Sequence, residues 1–389
     1  MYIQIHNMFG LYSIFSCQPF KSKKLSCSRK EHSMHHRRIV ATGSSYVRGV
    51  SIGKEWHDRI ITILKSAENA ALSKDGMTLQ DWLPHARGLL PFIQEYAPNT
   101  LEEMKGLAAG SDLLFDNILL LACAYEKWFN YHTPEHCTAF AVMGEASKTA
   151  ELICGQNNDE CLHHWAAGQL DGVIHHRDES GLETLIYTHP GIPAYMGMNS
   201  AGLCLLWMAI DNGERAAGIP TNVLIRETLL CTTLESAVEY MKKVPKALPN
   251  AFMLAHPDQG ICNIECSPSL FYPEYSQDFL YHANHILNDE MAVNDKNKDD
   301  PGCSTISRYA AMGSLIEKYY GETDISLARQ MLSDHTGYPK SICAHPRADA
   351  IYSKTLASMI FHPKSGCMEI AFGNGCEMPY ETYLFSLTV

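Results

Sequence analysis

Apolar positions recur at helical spacing through residues 54–72, 79–96, 101–110 and 112–127, with Asn99 and Thr100 placed to cap the third run. Residues 44–130 therefore read as mainly α-helical. From Cys137 the period shortens. CTAFAVM and AELICGQNN are β-rich runs joined by the turn-rich GEASKT. GVIHHRD and ETLIYTH follow around ESG, then IPAYMGMN and LCLLWMAID around SAG. Helical spacing returns over 220–243, with Pro220 at a helix start. AFMLAHP and GICNIECS form a further strand pair around DQ. Helices are predicted over 304–319 and 326–333, and TLASMIFHP, SGCMEIAFG and ETYLFSLTV read as three closing strands. Many hairpins between helical blocks predict an α+β layered architecture, not a doubly wound βαβ sheet.

Composition narrows the function. The chain has 389 residues, 46% hydrophobic and 19% charged, with material for a full core. Its net charge of −12 argues against nucleic acid and anionic membrane surfaces as partners. No apolar run reaches membrane-spanning length. Residues 1–40 read as a basic tail: Lys21, Lys23, Lys24, Arg29, Lys30, Arg37 and Arg38 outweigh a first acid at Glu31. A disordered segment or a presequence has this composition. The remainder reads as one folded unit, 41–389, with a cytoplasmic location expected and an organellar one as the alternative. The fourteen cysteines show no CxxC pair and no zinc-type spacing with histidines, so most are expected to be reduced, buried small hydrophobes.

Dinucleotide, P-loop, zincin and GxSxG motifs are absent, and no cofactor is expected. His163–His164 and His175–His176 are adjacent pairs, and strand neighbours point to opposite faces. They are expected to be structural or surface residues, and no metal ligand is assigned. With the GEASKT turn centred near Ala146–Ser147, antiparallel pairing sets GQNND, ending in Asp159, across from or just beyond Cys137. Three polar clusters also interrupt apolar strands or open a helix: Asn199 in GMNSAG, Asn284 in YHANHIL, and Arg308 in STISRYAAM. Each alone has a plain structural role as turn former, backbone partner or surface cation.

Together these segments resemble the acyl-coenzyme A:6-aminopenicillanic acid acyltransferase family of cysteine N-terminal-nucleophile hydrolases. More remotely they resemble bile-salt hydrolases and penicillin V acylases. The resemblance starts at GSSYVRGVSIG and LEEMKGLAAGSDL. It continues in order through CTAFA, GQNND, GMNSAGL, HANH, ISRY, LSDHTGYPKSIC and TLASMIF. It implies a four-layer αββα sandwich and a precursor that cuts itself between His136 and Cys137. The helical segment 41–136 would be separated from a β segment 137–389, the two remaining non-covalently associated. The resemblance gives Cys137 as nucleophile and Asp159 as the acid orienting its amino group. Asn199 and Asn284 become oxyanion-hole or amine-positioning residues, and Arg308 an active-site arginine. Two positions depart from the family pattern: His136 stands where glycine is usual, and Ala344 where arginine is frequent.

The implied chemistry is cleavage or transfer of the acyl group of a small N-acyl amide or acyl thioester through a thioester on Cys137. A free thiol titrates near ~8.5 and needs a base, and an α-amine created at Cys137 would titrate at about 7.7–8.0. A non-catalytic small-molecule binding protein on the same fold is the competing expectation, motivated by His136 and Ala344. Metal-dependent hydrolysis by the histidines is a third, and no ligand motif supports it.

Overall fold

The computed structural model describes residues 37–128, 137–161, 169–298, 303–346 and 353–385. The basic stretch up to His36, and His136, lie outside the described residues. The first described element is a strand, β1 (Arg38–Thr42), where the sequence reading had placed the end of the tail. RIVAT alternates buried and exposed positions and pairs in parallel with a later strand. Six helices follow: α1 (Ser45–Glu55), α2 (His57–Asp75), α3 (Leu83–Tyr96), α4 (Pro98–Gly110), α5 (Phe115–Ala122) and α6 (Ala124–Trp128).

Helices α1 and α4 touch backbone to backbone because each carries two glycines one turn apart, Gly49 and Gly53 against Gly106 and Gly110. A Cβ on Gly106 would lie 2.0 Å from the carbonyl oxygen of Tyr46, and one on Gly49 2.0 Å from that of Glu103. The close approach exists only because these side chains are missing.

The rest of the chain builds two sheets. Its elements are β2 (Thr138–Val142), β3 (Ile153–Cys161), β4 (Gly172–Arg177), β5 (Glu183–Thr188), β6 (Met196–Asn199), β7 (Cys204–Ala209), α7 (Thr221–Thr228), α8 (Leu234–Lys243), β8 (Asn250–His256), β9 (Gly260–Cys266), β10 (Phe271–Ser276), β11 (Phe279–His282), α9 (Thr305–Lys318), α10 (Ile325–Leu332), β12 (Ser353–His362), β13 (Cys367–Ala371) and β14 (Glu381–Leu384). One sheet has eight strands in the order β1-β4-β5-β6-β7-β8-β9-β10, and the other six in the order β11-β2-β3-β12-β13-β14.

The two faces of the six-stranded sheet belong to different cores. Ala139, Ala141, Cys154, Met359 and Phe361 join the core shared with the eight-stranded sheet and helices α1–α8. Phe140, Val142, Ile153 and Ile360 join Met312, Ile316, Met331 and Leu332 of α9 and α10. Strand alternation produces this split. The layers run helix, sheet, sheet, helix, the αββα sandwich that the resemblance implies.

Three readings shift. The single helix expected over 220–243 is two, because Thr233 begins a new helix with its hydroxyl accepting from the Ser236 amide. The expected 54–72 helix is also interrupted: α1 ends at Glu55 and α2 starts at His57. Strand β10 lies in a segment where no strand was expected, and β11 covers only the start of YHANHIL, ending before Asn284. Pro273 sits in β10, which is tolerated because β10 is an edge strand and Pro273 owes no ladder hydrogen bond.

Candidate active site

Cys137 directly precedes β2, and alternation puts its side chain with Ala139 and Ala141, between the two sheets. It is buried at 4% exposure. The β2–β3 hairpin pairs Thr138 with Asn157, so Cys137 stands opposite Asn158. Cys137 Sγ lies 3.7 Å from Asn158 Oδ1.

The same alternation divides GQNNDE. Gln156, Asn158 and Glu160 share the thiol's face, while Asn157 and Asp159 face α10 and the segment after it. Asn157 Nδ2 donates to the Leu332 and Ile342 carbonyls, each at 2.8 Å. Asp159 Oδ1 accepts from Thr355 Oγ1 at 2.6 Å. Burial raises the Asp159 carboxyl to about 7, with the nearby Arg308 guanidinium pulling the other way. The carboxyl on the thiol's own face is therefore Glu160, reached through Asn158 Nδ2 at 3.1 Å.

Asn284 arrives from the other side of β2. Strand β11 pairs with β2 in a register that sets His282 opposite Ala139, and continuing it two residues brings Asn284 to Cys137. Asn284 Oδ1 accepts from the Cys137 backbone nitrogen at 2.7 Å and from Arg308 Nη2 at 2.8 Å. Two donors on one atom fix the orientation of this amide. Its Nδ2 donates to the Ala209 carbonyl at 3.0 Å. Asn284 thus grips the Cys137 nitrogen as an acceptor, and its own donor is engaged elsewhere. The surrounding loop is tied down: the Asn284 amide donates to Thr305 Oγ1 at 2.7 Å and Asn297 Nδ2 donates to the Asn284 carbonyl at 2.6 Å.

Arg308, in the first turn of α9, is wholly buried. Its Nη1 donates to the Cys137 carbonyl and, at 2.8 Å, to Thr138 Oγ1; its Nε donates to Ser304 Oγ at 2.9 Å. Arg308 and Asn284 therefore hold both backbone polar groups of Cys137.

Asn199 is not brought to this cluster. Its Nδ2 donates to the Leu229 and Cys231 carbonyls at 3.0 and 2.7 Å, and its Oδ1 accepts from the Ala201 and Leu203 amides, both at 3.1 Å. It closes the β6–β7 turn and caps α7. Ala209, which meets Asn284, ends β7 at the opposite end of that strand, about 17 Å away at ~3.3 Å per residue. The turn-forming role that the sequence permitted is the one Asn199 fills.

The sequence reading overlooked a second buried cluster on the thiol's face. His189 Nδ1 meets Asp171 Oδ1 at 2.5 Å and its Nε2 meets Glu160 Oε1 at 3.3 Å. Tyr187 donates to Asp171 Oδ2 at 2.5 Å, and Tyr125 to Glu160 Oε1 at 3.3 Å. Although burial opposes its charge, the two carboxylates raise His189 to about 10, so it is an imidazolium at neutral pH. The signal for this cluster was the acid at Glu160 next to Asp159, two strand positions from Asn158.

A family model described as "Acyl-coenzyme A:6-aminopenicillanic acid acyl-transferase" matches residues 145–377. This span includes Asp159, Asn284 and Arg308 and begins after Cys137. A search of curated proteins found no match. Among solved structures, the chain is similar to a conjugated bile acid hydrolase from Clostridium perfringens at 11% identity, covering 64% of this chain and 97% of that one, with a TM-score of 0.39. It is also similar to penicillin V acylase from Agrobacterium tumefaciens at 11% identity, covering 64% and 86%, with a TM-score of 0.40. With its family model matched over more than half its length, the chain belongs to the acyl-coenzyme A:6-aminopenicillanic acid acyl-transferase family.

Proposed function

We propose that this protein is a self-processing cysteine amidohydrolase or acyltransferase that acts on a small N-acyl amide or acyl thioester through Cys137. The observation that carries the reading is the double hold on one residue. Asn284 Oδ1 takes the Cys137 nitrogen at 2.7 Å, and Arg308 takes its carbonyl. A structural cysteine needs neither. An N-terminal nucleophile needs both, because its amine must be aimed and its backbone must not turn.

In the uncut chain that nitrogen is an amide. Self-processing would begin with attack of the Cys137 thiol on the His136 carbonyl. The C–N bond breaks as the C–S bond forms, and the nitrogen leaves protonated as the new α-amine. Water then hydrolyses the thioester, giving residues 1–136 with a free carboxylate and residues 137–389 beginning at Cys137. The freed amine, of ordinary pKa about 7.7–8.0, accepts the thiol proton in each later turnover. Attack on the substrate carbonyl forms an acyl thioester and releases the amine of an amide substrate or the thiol of a thioester substrate. Water resolving that thioester makes the protein a hydrolase; a second amine makes it an acyltransferase.

The two fragments would remain together. β1, from before the cut, is hydrogen-bonded along β4. Glu103 of α4 accepts from Arg226 of α7 at 3.0 and 2.8 Å. Glu126 of α6 accepts from the Thr221 amide at 2.7 Å.

Intact-mass measurement of the purified protein tests the processing step, with two masses summing to the chain plus one water expected. A single mass in a fully active preparation would sink it. Cys137→Ser is expected to lose acyl-enzyme formation on a thioester donor; retention of wild-type amidase activity would remove Cys137 as nucleophile.

A further inference from the structure

Behind β3, on the side away from the thiol, four potential ligands converge. His335, Cys343 and His345 lie on the segment after α10, and Cys376 on the turn after β13. Their donor atoms all fall within 4.8 Å of one another. His335 Nε2 and His345 Nε2 are 3.0 Å apart, and the Cys343 and Cys376 sulfurs 3.5 Å apart. His345 Nε2 is 3.6 Å from Cys343 Sγ and 3.4 Å from Cys376 Sγ.

These spacings can be compared with a tetrahedron. Bond lengths of ~2.0–2.1 Å to nitrogen and ~2.3 Å to sulfur give edges of about 3.3 Å for N–N, about 3.5 Å for N–S and about 3.8 Å for S–S. Each observed separation lies close to its edge. Two imidazoles and two thiols in a tetrahedron select zinc among the common divalent ions.

The surroundings are arranged as a metal site needs. His345 Nδ1, the nitrogen turned away from the cluster, lies 3.5 Å from Glu377 Oε1. A carboxylate there favours the Nδ1–H tautomer, which leaves Nε2 free to bind. Asn374 Nδ2 lies 3.3 Å from Cys343 Sγ and donates to the Ala344 carbonyl at 2.7 Å. Cys343 is buried, while His335 and Cys376 are exposed, which gives an ion a way in. Four protein donors fill the tetrahedron, so the arrangement is that of a structural ion and not a catalytic one.

We propose that His335, Cys343, His345 and Cys376 bind one zinc ion that clamps the segment after α10 to the turn after β13. Both thiols lose their protons on binding. The clamp supports the active strand from behind. Ile342 accepts from Asn157, and the Ala344 amide donates at 3.0 Å to Thr355 Oγ1, the hydroxyl that in turn donates to Asp159. The site does not depend on Cys137 being a nucleophile.

The test is metal content of the full chain, expressed in zinc-supplemented medium and purified without chelator, in wild type and in Cys137→Ser. One zinc per chain is expected in both. Cobalt substitution should give the thiolate charge-transfer and intense visible bands of a tetrahedral Cys2His2 site. Cys376→Ser should lose the ion and the charge-transfer intensity. Should that variant not fold, Glu377→Gln keeps all four ligands and is expected to weaken zinc by about 10–100-fold against a competing chelator. Folded wild-type protein that takes up neither zinc nor cobalt would overturn the proposal. So would a metal-free mass two hydrogen atoms lighter, with Cys343 and Cys376 oxidised to a disulfide, or Glu377→Gln holding zinc as tightly as wild type.

Discussion

Asn284 offers the sharpest perturbation, because one side chain serves the Cys137 nitrogen, Arg308 and Ala209 at 2.7, 2.8 and 3.0 Å. Asn284→Ala strips a partner from three buried groups. At about 1–3 kcal/mol per orphaned buried group, stability should fall by about 3 kcal/mol or more. The amine would also lose its aim, and losing a positioned base costs about 10²-fold or more in rate. Asn284→Asp separates these effects. The carboxylate still accepts from both donors, loses the donation to the Ala209 carbonyl, and sets a negative charge against the amine. An opposite charge at this range favours the ammonium and raises its pKa by about 1 unit or more, after partial offset by Arg308. The base must be neutral to work, so the acid limb of kcat/KM should move from near ~8 towards ~9. Activity at neutral pH should fall about tenfold and recover in alkali. The assay is acylation of the cleaved protein by a chromogenic acyl donor, followed from pH 6 to 10. An Asn284→Ala rate within about twofold of wild type, or an Asp profile that superimposes on it, would refute the positioning argument.

Asp159, raised to about 7 by burial, holds in the folded state a proton that the unfolded chain releases near ~3.9. Stability should therefore decline as pH rises from about 4 to about 7, by about 4 kcal/mol, and Asp159→Asn should flatten that slope in urea titrations at pH 5 and 8. Arg226→Ala leaves Glu103, held near about 2 by Arg226, His176 and Arg48 against its burial, with a poorer set of partners. A loss of about 3–5 kcal/mol is expected, read in the cleaved protein as dissociation of the two fragments at lower denaturant. Gly106→Ala should cost about 3 kcal/mol because its Cβ meets the Tyr46 carbonyl at 2.0 Å. Gly88→Ala, in α3 with nothing within 4 Å, should be neutral or stabilise by up to about 1 kcal/mol in urea titrations.

Period and turn chemistry carried much of the fold. The β2–β3 hairpin was legible because GEASKT is an obvious turn, and the register puts Asn158, inside the expected GQNND, opposite Cys137. A one-residue step matters in a strand, because it decides which polar side chain shares the thiol's face. Strand β1 was hidden by the basic residues around it, and β10 by Pro273, whose edge position no local pattern reveals. The meeting of Asn284 with Cys137 depends on β11 pairing with β2, a contact between segments almost 150 residues apart. Resemblance supplied it; periodicity did not. A turn asparagine and a catalytic one look alike in a single sequence, and only the fold shows Asn199 bonded within the β6–β7 turn and to the end of α7. The His335, Cys343, His345 and Cys376 cluster was invisible for a related reason. Only Cys343 and His345 are close in sequence; His335 and Cys376 meet them only in the folded chain.

The parallel pairing of β1 with β4 also bears on what happens after damage. In the uncut chain, β1 and its partner are tethered, and refolding is a unimolecular search. Were the chain cut before Cys137, as proposed, the same ladder would join two molecules, and the effective concentration the tether supplied would be gone. Refolding would become second order, slower as the protein is diluted, although every native contact is unchanged. The mature protein would then owe its persistence to a slow unfolding rate and not to reversible equilibrium. Its melting curves should show hysteresis that the uncut Cys137→Ser chain lacks.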